Sequence, residues 1–115
     1  MINIYGIKTC STVRRAIKFC KDNQLEFTFV DFRADPLEEE KIIYFNSKID
    51  INILFNNRGT KYRDLKLKEL NLDDEGKLKW LCKENMLLKR PIVEYGDNIL
   101  VSFNEEVYQK ELLNK

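Results

Sequence analysis

The sequence predicts an α/β fold: a four-stranded mixed sheet, βαβ then ββα, with a helical subdomain inserted between the halves. Three observations carry this. A strand, a helix and a strand follow one another within the first thirty-two residues, the size of a right-handed βαβ unit. Only helical and turn signals follow for the next stretch. After Arg90-Pro91 the apolar period returns to two, as two short strands around a turn require.

Each element follows from its residues. "INIY" (2–5) alternates and is a short strand, which Gly6 is expected to break. From Cys10 the pattern changes. Val13, Ala16, Ile17 and Cys20 fall at i, i+3, i+4 and i+7, one face of a helix ending near Asn23, while Arg14, Arg15, Lys18 and Lys21 fall mostly elsewhere. "LEFTFVDF" (25–32) is rich in Phe and Val and reads as the second strand. "DPLE" (35–38) has the chemistry of a helix start, with Asp35 as cap, Pro36 at the first helical position and Glu38 as capping-box carboxylate. That helix should run to about Ser47. "IDINILF" (49–55) fits a short helix, and its isoleucines leave a strand open as the alternative. A turn is expected at Asn57–Gly59, then a helix within 72–85 with Leu78, Leu81 and Cys82 on one face. "IVEY" (92–95) and "ILVSF" (99–103) flank a three-residue turn, "GDN", and Asn104 caps a last helix, 105–113. Repeats, low-complexity segments and linkers are absent, so residues 1–115 are read as one domain with a helical insertion at about 34–88.

Composition narrows the function. Of 115 residues, 43% are hydrophobic and 34% charged, which suits a globular domain able to bury its own core. Twenty Lys+Arg against nineteen Asp+Glu leave a formal charge of +1. A nucleic-acid binder needs a basic surplus, so no direct nucleic-acid contact is expected. The first ten residues lack the pattern of a secretory signal and no apolar run approaches a membrane span, so a cytoplasmic protein with no membrane contact is expected. Cys10, Cys20 and Cys82 have no disulfide-framework spacing and should be free thiols. There is no histidine. That removes Cys-His and Ser-His pairs and His-ligated metals, and three scattered thiols do not make a zinc site.

The element order βαβ–ββα is that of a thioredoxin-like core, and Cys10 falls where its first helix begins. A helix N-terminus offers unpaired N–H groups and a partial positive charge. Ser11 and Thr12 add hydroxyls, Arg14 lies one turn on, and Lys8 lies just before. Such a setting stabilises a thiolate. Cys20 and Cys82 sit on apolar helical faces and read as packing. Cys20 is also ten residues along the same helix, about 15 Å away, too far to resolve a bond at Cys10. Pro91 should begin the third strand, where thioredoxin-like cores carry a cis-proline beside the thiol; a plain trans turn proline is the other reading.

"IYGIKTCSTVRRA" (4–16), "NNRGTKYR" (56–63), "LLKRPIV" (87–93) and "LVSFNEEVY" (100–108) together resemble the arsenate-reductase-like family, which also contains the Spx regulators. The fit is closest to its small branch of suggested glutathione-dependent thiol reductases. The resemblance implies a catalytic thiolate at Cys10 aided by Arg14, and substrate or oxyanion binding by Thr12, Arg58, Arg90 and Pro91. It implies no bound cofactor, glutathione as co-substrate, a small thiol or oxyanion substrate, glutaredoxin as a candidate partner, and a monomer. Two positions depart from the family pattern. Ser102 stands where glutaredoxin-coupled arsenate reductases carry a third arginine, which argues against arsenate as substrate. Val13 stands where Spx regulators carry the second cysteine of Cys-x-x-Cys. The expectation is therefore a thiol-dependent oxidoreductase whose Cys10 forms a covalent or mixed-disulfide intermediate resolved by glutathione or glutaredoxin. The alternative is an Spx-like redox-responsive regulator that binds RNA polymerase.

Overall fold

A computed structural model describes residues 1–113. The chain divides into two compact units, Met1–Val30 with Arg90–Lys115, and Asp31–Lys89.

The first unit holds a four-stranded mixed sheet of order β2-β1-β3-β4, with β1 Ile2–Gly6, β2 Phe27–Asp31, β3 Ile92–Tyr95 and β4 Asn98–Val101. β3 runs antiparallel to both neighbours, pairing Ile4 with Val93 and Val93 with Leu100. Helix α1 (Ser11–Asp22) connects β1 to β2. Alternation along the strands puts Ile4, Val93 and Tyr95 on one face, where they form a core with Ala16, Phe19 and Cys20 of α1 and with Tyr108 and Leu112 near the C-terminus. The turn after β3 has two residues rather than three. Asn98 pairs with Tyr95, and Gly96 takes the positive φ (55°) that primed hairpin turns need. α6 (Glu105–Tyr108) is capped by Asn104, whose side chain accepts from the Val107 N–H, and continues as a π turn to Leu113.

Gly6 closes β1 instead of breaking it. A Cβ there would lie 2.5 Å from Val13 Cγ2, so the glycine lets strand and helix approach.

The second unit is helical. α2 spans Glu39–Lys48, α3 Ile51–Leu54, α4 Thr60–Asp64 and α5 Asp74–Lys83, with 3-10 turns at Leu67–Leu70 and Asn85–Leu87. The helix start expected at Asp35–Glu38 moves three residues on, with Glu38 at the cap position and Glu39 the first helical residue. Asp31 closes a turn instead, its carbonyl accepting from Ala34 and Asp35, and the Leu37 N–H donates to Asn85 Oδ1 at 2.8 Å. A distant amide, rather than a local cap, satisfies this backbone. "IDINILF" resolves to the helix: Asp50 accepts from the Asn52 N–H. The turn at 57–59 leads straight into α4, a helix with no buried residue and so no apolar stripe in the sequence. α5 begins at an Asp73 cap bonded to the Gly76 N–H, so Gly76 sits in the first turn, where its low propensity costs little. Ile42, Phe45, Leu54, Leu67 and Leu81 are buried, and α2 and α3 both pack on α5.

Candidate active site at the start of the first helix

Cys10 is the N-cap residue of α1, with extended backbone (φ −83°, ψ 123°). Its own N–H donates to the Ile7 carbonyl at 3.2 Å, and its carbonyl accepts from Arg14 N–H at 3.1 Å. Those bonds fix the turn after β1 and place Cys10 at the open end of the helix.

Burial pushes the half-buried Cys10 thiol up. The N–H groups of Val13 and Thr12, and then the Arg90 guanidinium by hydrogen bond and by charge, outweigh it, and the net effect holds the thiol below its ordinary value. The influences that lower the thiol thus come from two places: the N–H groups of the first turn of α1, which have no intrahelical partner, and the Arg90 guanidinium. The other two thiols go the opposite way. Burial alone raises Cys20, and burial with the nearby Glu39 carboxylate raises Cys82.

Arg90 precedes Pro91 across a cis peptide bond, and Pro91 is buried at the entry to β3. The β1–β3 pairing brings this segment beside the loop that carries Cys10, since Tyr5 pairs with Ile92. Arg14, expected to assist the thiol, is exposed on α1 and is not among the groups that lower it. Thr12 contributes through its backbone N–H.

Arg58 belongs to the other unit. It is exposed before α4, its N–H donating to Asn56 Oδ1 at 3.0 Å and its carbonyl accepting from Arg63 Nη1 at 2.8 Å. With Tyr62, Arg63, Lys66 and Lys68 it lines a depression of mostly positive charge. Ser102 carries no cation but has a positive φ of 69°. Its N–H donates to the Pro91 carbonyl, and its carbonyl accepts from Tyr108. Sequence reasoning missed the Val13 N–H and Tyr108. The first was legible, because a cap position always faces the N–H groups two and three residues on. The second rests on a tertiary bond that no local pattern marks. Among the described residues no cluster of three metal-ligating side chains exists, and no helix is long and apolar enough to cross a membrane.

This fold and site define a thioredoxin-like protein with a single helix-capped thiol; a glutaredoxin from Archaeoglobus fulgidus shares the fold at 17% identity and a TM-score of 0.51, covering 97% of this chain and 85% of its own. The chain belongs to the ArsC family, whose model matches residues 5–111. It is 36% identical over 110 residues to an uncharacterised protein of Haemophilus influenzae, covering 95% of this chain and 96% of that one. It is 31% identical to the uncharacterised YusI of Bacillus subtilis, again covering 95% and 96%. A more distant relative, at 24% identity, is the global transcriptional regulator Spx 2 of Bacillus anthracis, with 97% and 87% covered. Among solved structures, the YFFB protein superposes with a TM-score of 0.90 at 25% identity, covering 97% and 99%. An arsenate reductase (ArsC) related protein of Brucella melitensis gives 0.75 at 26% identity, covering 97% and 94%.

Proposed function

We propose that the protein is a thiol-dependent reductase of small disulfides, with Cys10 as nucleophile and glutathione as co-substrate. The observation that supports this most is the place of Cys10 at the N-cap of α1, where three donor groups, the Thr12 and Val13 N–H groups and the Arg90 guanidinium, hold its thiol below the ordinary value. The Cys10 thiolate attacks one sulfur of a disulfide R–S–S–R′. The S–S bond breaks, R′–S⁻ leaves with its electron pair, and Cys10 is joined to R in a mixed disulfide. A glutathione thiolate then attacks the R sulfur. Cys10 leaves as a thiolate, and R–S–S–glutathione is released. The three donors act in both steps. They raise the thiolate fraction in the first and stabilise the departing thiolate in the second. Cys20 is buried on the same helix and is not a resolving thiol, so the resolving thiol comes from outside, as glutathione or a glutaredoxin.

Arsenate is a poor candidate substrate, because Ser102 carries no guanidinium and its backbone polar groups are already engaged by Pro91 and Tyr108. On its own unit, Arg58 lines a depression of mostly positive charge, and a guanidinium there has the chemistry to pair with a carboxylate.

The test is turnover of the glutathione–cysteine mixed disulfide, coupled through glutathione reductase to NADPH oxidation, with peptide mapping of the trapped intermediate. The expected result is one glutathionyl group on Cys10 and no turnover in Cys10→Ser. Equal turnover in Cys10→Ser and wild type sinks the reading. The likeness to Spx 2 supports a second reading as a polymerase-binding regulator. Retention of RNA polymerase on the immobilised protein, without turnover, would favour it.

A further inference from the structure

Tyr108 lies on α6, ninety-eight residues from Cys10, and has no part in the chemistry above. It is 1% exposed. Its ring is held edge-on by Phe103 at 4.8 Å and Phe19 at 5.5 Å between centroids. The ring therefore has one position, and with it the hydroxyl. That hydroxyl donates to the carbonyl oxygen of Ser102 at 2.6 Å.

Ser102 has a φ of 69°, in the left-handed region that a serine keeps only where its surroundings enforce it. Its N–H donates to the carbonyl of Pro91 at 2.8 Å. Pro91 directly follows Arg90; the Tyr5–Ile92 pairing sets this segment beside the loop that carries Cys10, and the Arg90 guanidinium is among the groups that hold that thiol below its ordinary value. A continuous set of bonds thus runs from a buried phenol, through a strained backbone, to the segment that carries the cation on the thiol.

We propose that Tyr108 is a positioning residue for the thiol site: by fixing the Ser102 backbone it fixes the Arg90–Pro91 segment, and so holds the Arg90 guanidinium on Cys10. Its consequence for turnover rests on the reductase reading; the coupling between Tyr108 and Arg90 does not. Ser102 is well suited to transmit it, because both of its backbone polar groups are used, one toward Tyr108 and one toward Pro91. Loss of the phenol hydroxyl leaves the left-handed Ser102 without the bond that holds its carbonyl. The Pro91 carbonyl then loses a fixed donor, and Arg90 gains freedom.

The experiment is the rate of Cys10 alkylation by iodoacetamide against pH, followed by peptide mass mapping. It is run on wild type, Tyr108→Phe, Arg90→Gln and the double variant, with Cys20 and Cys82 as internal references. Tyr108→Phe keeps the ring and its packing. It should slow alkylation of Cys10 about threefold at a pH where the thiol is partly ionised, the scale of one lost hydrogen bond. In the Arg90→Gln background it should add nothing, since the group it positions is gone. Equal slowing in both backgrounds, or an unchanged pH profile with only a lower melting temperature, overturns the proposal. Glycine adopts the left-handed conformation without help. Ser102→Gly combined with Tyr108→Phe should therefore recover part of the wild-type rate, and this pair remains informative where Tyr108→Phe alone folds poorly. Absence of any recovery also overturns the proposal. Wild type that shows the coupling yet turns over no disulfide refutes the reductase reading alone.

Discussion

Gly6→Ala tests how β1 and α1 together build the thiol site. A Cβ on residue 6 would lie 2.5 Å from Val13 Cγ2 and 3.2 Å from Cγ1. Carbon atoms settle at about 3.5–4.0 Å, so the shorter contact is too close by about 1 Å. The obstacle is a fully buried, β-branched valine with little χ1 freedom. Relief must come from parting strand and helix. Overpacking of this kind costs about 1–3 kcal/mol. With an unfolding entropy of ~2.1 cal/mol/K per residue, that lowers the melting temperature of a chain this long by about 4–12 °C. The same movement carries the Val13 N–H away from Cys10 Sγ, so the thiol should titrate at higher pH. Circular dichroism melting and the alkylation profile of Cys10 read the two effects on one sample. In a Val13→Ala background the obstructing methyls are absent, and the cost of Gly6→Ala should shrink by at least about 1 kcal/mol. An unchanged melting temperature, or an undiminished cost in the Val13→Ala background, refutes the close-approach argument.

Three further outcomes are expected. Because Cys10 is held below its ordinary value in the fold, it stabilises the fold fully above the unfolded thiol's pKa, and that stability is lost as pH falls through the folded one; denaturant titrations should show the difference between wild type and Cys10→Ser growing with pH across that window, and a flat difference would count against the thiolate cap. Tyr95, whose hydroxyl donates to Glu111 at 2.9 Å, is pushed up to about 12 by burial and by that carboxylate. Its stabilisation is therefore complete below about pH 10 and lost as pH rises toward 12, and phenolate absorbance should lose a component titrating near pH 12 in Tyr95→Phe, with the alkaline limb of the stability curve flattened. Asn85→Ala should cost about 2 kcal/mol, because a buried amide that accepts from the Leu37 N–H and donates to the Leu81 carbonyl leaves both without a partner; a urea midpoint unchanged from wild type would show that water replaces it.

What the sequence made legible was whatever local chemistry decides. The apolar stripe of α1, the alternation of β3 and β4 and the cap at Asn104 all involve neighbours within a turn or a pleat, and the structure has them where those residues stand. The failures share the opposite property. Asp35 and Pro36 carry the right chemistry for a helix start, yet the segment is settled by Asn85, forty-eight residues from Leu37. Gly6 reads as punctuation in the sequence, whereas its role depends on a helix packed across it. Thr60–Asp64 buries none of its five residues, so α4 presents no stripe to read. At the site, position alone identified Cys10 and the helix end. Arg14 was a natural choice of cation because it is four residues on, but the side chain that reaches the sulfur is Arg90, delivered by strand pairing rather than by helical spacing.

The discontinuity of the first unit has a consequence for the newly made protein. β1 and α1 are synthesised early, but β3, β4 and Arg90 emerge only after the contiguous 31–89 unit. At about 5–20 residues per second, several seconds pass before the ribosome has added Arg90. During that interval Cys10 lacks its cation, and β1 lacks the β3 edge that it pairs with in the finished sheet. A nascent chain that has not reached residue 90 therefore carries a Cys10 thiol without its guanidinium, and the setting of that thiol is complete only once the second half of the sheet has been added.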